Sequence, residues 1–174
     1  EIHKEAHKFS AAHMTVFADG SKETLHGHDY RVSAALEFAE NADSWLEFSV
    51  VKQALAELCA AWDDRLLLAD ANPRFEKIRA DGTEVEFKLC GKRYVVPAEE
   101  CVLIPIDNIL VERLAELMAR QFLKKIHARC AGRLRAVEIG AGQHLVHPDA
   151  AQLGHLLLER HPFHQIARSV PRGK

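Results

Sequence analysis

At 174 residues, with 48% hydrophobic and 28% charged side chains, the chain has material for one domain with a packed core. A net charge of -2 and a pI near 6.6 give neither nucleic acid nor an anionic membrane anything to hold, so neither partner is expected. The apolar runs fall short of a membrane span, no secretory leader pattern opens the sequence, and the scattered cysteines Cys59, Cys90, Cys101 and Cys130 form no Cys-x-x-Cys pair. They read as reduced thiols of a cytoplasmic protein.

Residues 3–14 read as a strand, with Phe9, Ala11 and His13 on one face. The segment Thr15 to Glu23 turns at Asp19-Gly20-Ser21 and brings the chain back towards His26. A longer strand follows over 28–39: Tyr30, Val32, Ala34, Leu36 and Phe38 alternate with Arg31, Ser33 and Glu37. Val51, Leu55, Leu58 and Trp62 recur at helical spacing, which predicts a helix over 49–62 capped by Ser49. Glu84–Leu89 and Arg93–Val96 flank Cys90-Gly91-Lys92 as a hairpin stopped by Pro97. A second helix is expected over 108–127, with Val111, Leu114, Ala115, Met118, Phe122 and Ile126 on one stripe, and a last strand over Leu134–Ile139. Ala151–Leu158 reads as a short helix, and the last dozen residues as loose or packed on a neighbouring subunit. Strands and helices without a repeated strand–helix–strand order favour an α+β fold with an antiparallel sheet.

The chemistry concentrates in Glu23-Thr24-Leu25-His26-Gly27-His28. Extending the strand register backwards puts His26 and His28 on one face, roughly 7 Å apart along the backbone, with Gly27 turned away. His13 is the candidate third ligand. Three imidazoles with an open fourth position form a catalytic zinc arrangement, unlike a closed structural set, and no cysteine is near enough in sequence to close it. A zinc held this way can take two oxygens of a vicinal diol, and a carboxylate within reach can accept a proton. Glu23, three residues before His26 at the entrance to the strand, is placed for that role; the alternative is a solvated loop glutamate. His144 and His147 follow a Gly-rich turn and either line the pocket or belong to the turn.

Phe9-Ser10-Ala11-Ala12-His13 and Leu25-His26-Gly27-His28-Asp29-Tyr30 resemble the 6-pyruvoyl- and 6-carboxy-tetrahydropterin synthase superfamily. The resemblance continues through Trp45-Leu46-Glu47-Phe48, Trp62-Asp63-Asp64-Arg65-Leu66-Leu67 and Asn108 to Ala115, and covers most of residues 7–142. It implies an antiparallel four-stranded sheet with two helices on one face (the tunnelling fold), three subunits joining their sheets into a barrel, and a homotrimer or homohexamer. By this reading residues 1–148 are the synthase-like domain with an inserted hairpin around 73–101, and 149–174 a C-terminal extension.

The resemblance also implies a zinc cofactor on His13, His26 and His28 and a pterin substrate. Most synthases carry a cysteine ahead of His-Gly-His, where this chain has Ser21 and Lys22. A subgroup carries Glu-x-x-His-Gly-His, which Glu23 to His28 matches. That subgroup cleaves the side chain of a dihydroneopterin compound, giving 6-hydroxymethyl-dihydropterin for folate synthesis. The family's Asp-His relay is Asp63-Asp64 here. Asp64 serves either as a carboxylate acid/base or as a cap or ion pair with Arg65. The pterin-anchoring glutamate falls at Ala141 by the simplest alignment, so Glu138, Glu112 or a neighbouring subunit must supply a carboxylate for the pterin N–H donors. Asn108 and Glu112 keep the pattern at the second helix, and the resemblance implies that they bind substrate together with Glu138. Alternatives are a 6-carboxy-tetrahydropterin synthase-like enzyme, a zinc hydrolase and a non-catalytic zinc- or pterin-binding homologue.

Overall fold

The computed structural model describes residues 7–38, 47–130, 134–143, 153–161 and 164–169, with the backbone alone at 128–130, 135, 136, 138, 140 and from 142 onwards. Strand β1 (Lys8–His13) pairs antiparallel with β2 (His26–Phe38), matching Phe9 to Tyr30, Ala11 to His28 and His13 to His26. Alternation sends Phe9, Ala11, Tyr30, Val32 and Ala34 into the core. Phe9 stacks on Tyr30 at 4.8 Å and meets the Trp62 ring edge-on at 5.6 Å, a pair geometry that aromatic quadrupoles favour.

Helix α1 (Phe48–Trp62) buries Val51, Ala54, Leu55, Leu58, Cys59 and Trp62, one stripe at helical spacing. Its cap residue is Glu47 rather than the expected Ser49, whose hydroxyl donates to Glu47 Oε2 at 3.1 Å. Asp63 ends the helix, its own N–H donating to Cys59 O at 3.0 Å. Asp64, at a φ of 53°, turns the chain into β3 (Arg65–Ala69) and donates its N–H to Ser10 O at 2.7 Å.

Three strands follow as a separate sheet in the order β4 (Phe75–Ala80), β5 (Glu84–Leu89), β6 (Lys92–Pro97). The expected hairpin forms between β5 and β6. Cys90 and Gly91 both take positive φ, 50° and 77°, and Leu89 pairs with Lys92, as a two-residue turn of the twist-matched kind requires. A short 3-10 turn at Ala98–Glu100 leads to β7 (Cys101–Ile104). Helix α2 (Val111–Cys130) starts three residues later than the 108 expected, and buries Val111, Leu114, Ala115, Met118, Ala119, Phe122 and Ile126. Strand β8 (Leu134–Gln143) pairs antiparallel with β2, turning Val137, Ile139 and Ala141 inward.

With β9 (Leu153–His161) and β10 (His164–Ser169), the main sheet has the order β10-β9-β8-β2-β1-β3-β7. It corrects the antiparallel four-stranded expectation in two ways. First, β3 runs parallel to β1 and β7 parallel to β3, so the sheet is mixed. Parallel neighbours need a long crossover: α1 supplies it on the way to β3, and the three-stranded insert supplies it on the way to β7. Second, of the helix expected at 151–158, residues 153–158 fall instead in β9, which pairs antiparallel with β8, while 151 and 152 lie outside the described residues; β10 pairs with β9. The open edge of β8 offers backbone partners that an isolated short helix lacks.

The two helices do share one face, over Phe9, Tyr30, Val32, Leu67, Val137 and Ile139. Leu66 and Leu68 point the other way, into a second cluster with Met14, Val85, Phe87, Leu89 and Cys101. The run Leu66-Leu67-Leu68 is thus buried on both faces, which explains its lack of alternation. Among the described residues no helix is long and apolar enough to cross a membrane.

Candidate metal centre

The register of β1 and β2 brings three imidazoles together at one end of the hairpin. His13 lies directly opposite His26, and His28 opposite Ala11. Ring centroids are 4.6 Å apart for His13 and His26, 5.3 Å for His13 and His28, and 4.8 Å for His26 and His28. One nitrogen from each lies within 4.8 Å of the others. Tetrahedral zinc–imidazole bonds place ligand nitrogens about 3.4 Å apart, so small side-chain rotations close the set.

Two further observations fit a metal. His13 is 4% exposed, and its Nε2 is buried with no hydrogen-bond partner. Such an orphan carries a desolvation cost unless something binds it. His26 Nδ1 lies 2.8 Å from Thr24 O. A carbonyl only accepts, so Nδ1 carries the proton and Nε2 keeps its lone pair, as metal-ligating histidines require. Burial, then the neighbouring His26 and His28, push His13 down from its ordinary 6.5 to about 4. Burial also lowers His28, with His26 adding to the effect. Both lone pairs are therefore free at neutral pH.

Glu23 stands at the rim. The segment from residue 15 to 23 folds back on itself: Glu23 N–H donates to Thr15 O at 2.9 Å, Phe17 N–H to Ser21 O at 2.8 Å, and Val16 bridges Lys22. Thr15 N–H in turn donates to Glu23 Oε2 at 3.3 Å. The same oxygen sits 3.8 Å from His26 Nε2. Partial burial works to raise the Glu23 carboxyl, but the Thr15 hydrogen bonds and the His26 and His13 rings outweigh it and hold it below the usual carboxylate range.

The other expected site residues lie elsewhere around this core. Asp63 Oδ1 accepts from Ser10 N–H at 2.8 Å, three residues before His13 and so about 10 Å along β1. Asp64 is exposed beside it. Within one subunit neither joins the imidazole group. The Asn108 side chain accepts from Val16 N–H at 3.0 Å and donates to Val16 O at 2.8 Å, so it clamps the Glu23 segment. Glu112 is exposed in the first turn of α2, and Ile109 O, just ahead of that helix, accepts from Thr15 Oγ1 at 3.2 Å. The backbone of Glu138 pairs with Ala35, while its side chain, like His144 and His147, lies outside the described residues. Ala141 is fully buried in the core.

Two residues of the site were not singled out from the sequence. Thr15 holds Glu23 and the start of α2, and the signal was there: it continues the alternation of Phe9, Ala11 and His13 onto the same face. Thr24 acts only through its carbonyl, which no side-chain pattern reveals.

Residues 1–142 match the family model for 6-pyruvoyl tetrahydropterin synthase. The chain belongs to this family. A protein of Methanocaldococcus jannaschii, provisionally assigned as a 6-carboxy-5,6,7,8-tetrahydropterin synthase, is 30% identical over 122 residues, spanning 68% of this chain and 73% of that protein. The solved 6-pyruvoyl tetrahydropterin synthases of Plasmodium falciparum and Plasmodium vivax share the fold. TM-scores are 0.73 and 0.75, at 21% and 22% identity, each covering 88% of this chain and 94% of the other. A further Plasmodium vivax structure, with a TM-score of 0.74, is a variant in which a catalytic glutamate is replaced by alanine.

If the three imidazoles hold the ion, replacing His26 or His28 with Ala will lower bound zinc sharply by elemental analysis; full occupancy in both variants would contradict the assignment. The metal-free protein should also be acid-sensitive. Unfolded His13 takes up its proton near 6.5 and the folded residue only near 4, so the unfolded state binds more protons between these values. Thermal stability will therefore fall as pH is lowered through that window, and less so in His13→Asn.

Proposed function

We propose that the protein is a zinc-dependent lyase that cleaves the side chain of dihydroneopterin or its phosphate, releasing 6-hydroxymethyl-dihydropterin and a two-carbon aldehyde. The observation that carries this reading is the Glu23 carboxylate, held by Thr15 and 3.8 Å from His26 Nε2, in a ligand group that contains no thiol. Cys59 lies on the buried face of α1, and Cys101 and Cys90 in or against the second cluster. Burial, with Asp63 adding to it, pushes the Cys59 thiol up to about 12, which leaves it inert. In the Plasmodium vivax enzyme a glutamate is a catalytic residue, which supports a carboxylate in this role.

Zinc on His13, His26 and His28 would supply a Lewis acid for the two vicinal side-chain oxygens. Glu23, ionised at neutral pH, takes the proton from the hydroxyl on the second side-chain carbon. The C–O bond there becomes a carbonyl as the bond to the first carbon breaks. The freed electron pair enters the C6=N5 imine of the dihydropterin, and the first carbon then regains a proton, which Glu23 can return. Hydrogen bonding to Thr15 N–H fixes which Glu23 oxygen faces the substrate. We assign the pterin-binding carboxylate to Glu138 or Glu112, or to a neighbouring subunit, and Asp63 and Asp64 as acid/base groups across such a boundary.

The assignment of the Methanocaldococcus jannaschii relative favours a second reading, a 6-carboxy-tetrahydropterin synthase-like enzyme. Against it stand Ser21 and Lys22 where those synthases have a thiol, and Asp64 where they have the relay histidine.

Glu23→Gln will retain fold and zinc while lowering turnover by about 100-fold or more, and Cys90→Ser and Cys101→Ser will turn over normally. A silent Glu23→Gln with loss of activity in either cysteine variant would replace the first reading with the second. We also propose a ring-forming trimer or hexamer, because β7 and β10 leave both edges of the described sheet open; a monomeric mass by light scattering at micromolar concentration would contradict it.

A further inference from the structure

The inserted sheet β4–β6 meets the Glu23 segment at two places. Its inner face carries an aromatic stack: Phe75 on Phe87 with centroids 5.3 Å apart, and Phe87 on Tyr94 at 5.1 Å and 13° between planes. The Lys22 ammonium lies over the last ring of this stack, 5.3 Å from the Tyr94 centroid. That ammonium donates to Glu23 O at 2.9 Å and contacts Met14 Sδ at 3.2 Å. Met14, directly after the ligand His13, is itself buried among Val85, Phe87 and Leu89 of the insert.

The second contact is at the turn of the segment. Gly20 has a φ of 88°, and a Cβ there would come within 2.6 Å of Arg74 Cζ, so the guanidinium occupies space that only glycine leaves. Arg74 stands just before β4, and its carbonyl accepts from Cys90 N–H at 3.2 Å in the β5–β6 turn. Asp19, whose carboxylate accepts from Ser21 N–H and hydroxyl at 2.8 and 2.6 Å, completes the turn.

We propose that Lys22 and Tyr94 are positioning residues for Glu23, and that the insert serves as a brace fixing the proton acceptor beside the imidazoles. The ring holds the cation, the cation holds the Glu23 carbonyl, and the Glu23 backbone sets the carboxylate. All three partners of the ammonium are uncharged. Loss of the ring thus removes an attraction with direction but no neutralising charge, and the Lys22 side chain regains its rotamers. Displacement of a reacting group by about 1 Å is enough to slow chemistry strongly.

This inference rests on the Glu23 reading, and the test separates the two. Zinc-loaded protein carrying Tyr94→Leu, Tyr94→Phe or Lys22→Met is assayed with dihydroneopterin for kcat and KM. Amide hydrogen exchange is followed in parallel across residues 15–25. Tyr94→Leu and Lys22→Met should lower kcat about tenfold with KM and zinc content little changed. Exchange at the Glu23 amide, bonded to Thr15 O, should speed up while β2 stays protected, and Tyr94→Phe, which keeps the ring, should restore both. Unchanged exchange across 15–25 in Tyr94→Leu would overturn the brace, as would faster exchange spread equally through β2 without rescue by Tyr94→Phe. If exchange responds as expected but Glu23→Gln turns over normally, the brace stands and the Glu23 reading falls. If Glu23→Gln is inactive and Tyr94→Leu alters neither kcat nor exchange, the brace alone is wrong.

Discussion

The antiparallel register of β1 against β2 is the constraint on which the rest depends. It sets His13 opposite His26 and puts His28 two residues further along the same face. A slip of one residue would send every β2 side chain to the other face of the sheet. Tyr30, Val32 and Ala34 would then leave the core together with the two histidines, so folding energy guards the geometry of the site. The same face that buries Phe9 against Tyr30 and Trp62 continues outward as the ligand face. Core and metal centre form one continuous surface, apolar at one end and nitrogen-donating at the other.

That continuity is why the grouping of the three imidazoles is legible in the sequence. Alternation from Phe38 back to His26, and from Phe9 to His13, puts the three imidazoles on one face, and the spacing of Glu23 from His26 puts its carboxylate at their rim. Both helices were legible for a similar reason, since each carries one apolar stripe. The parallel strands were not. Leu66-Leu67-Leu68 is buried on both faces and shows no period, and β7 is a short run of four residues. Residues 153–158 suit a helix or a strand equally well by pattern, because their apolar residues are consecutive and either element accommodates them locally; pairing with β8 decides the matter. The Thr24 carbonyl that sets the His26 tautomer is invisible to any reading of side chains.

The departures from the synthase pattern acquire a physical sense once Glu23 is in place. A thiol acts as a nucleophile or base only when its environment lowers its pKa, whereas a carboxylate is ionised already and needs only to be aimed. The aiming falls to Thr15 N–H on the carboxylate, Asn108 on Val16, and the Lys22 ammonium on the Glu23 carbonyl. The long insert between β3 and β7 fulfils two roles, as the crossover that makes the strands parallel and as the wall against which the Glu23 segment is held.

Product analysis of zinc-loaded protein incubated with dihydroneopterin and its phosphates tests the central claim most directly. Carbon–carbon cleavage at the His13, His26, His28 and Glu23 centre predicts 6-hydroxymethyl-dihydropterin together with glycolaldehyde or its phosphate in equal amounts. A product that keeps all three side-chain carbons, or a 6-carboxy-tetrahydropterin, would contradict the account.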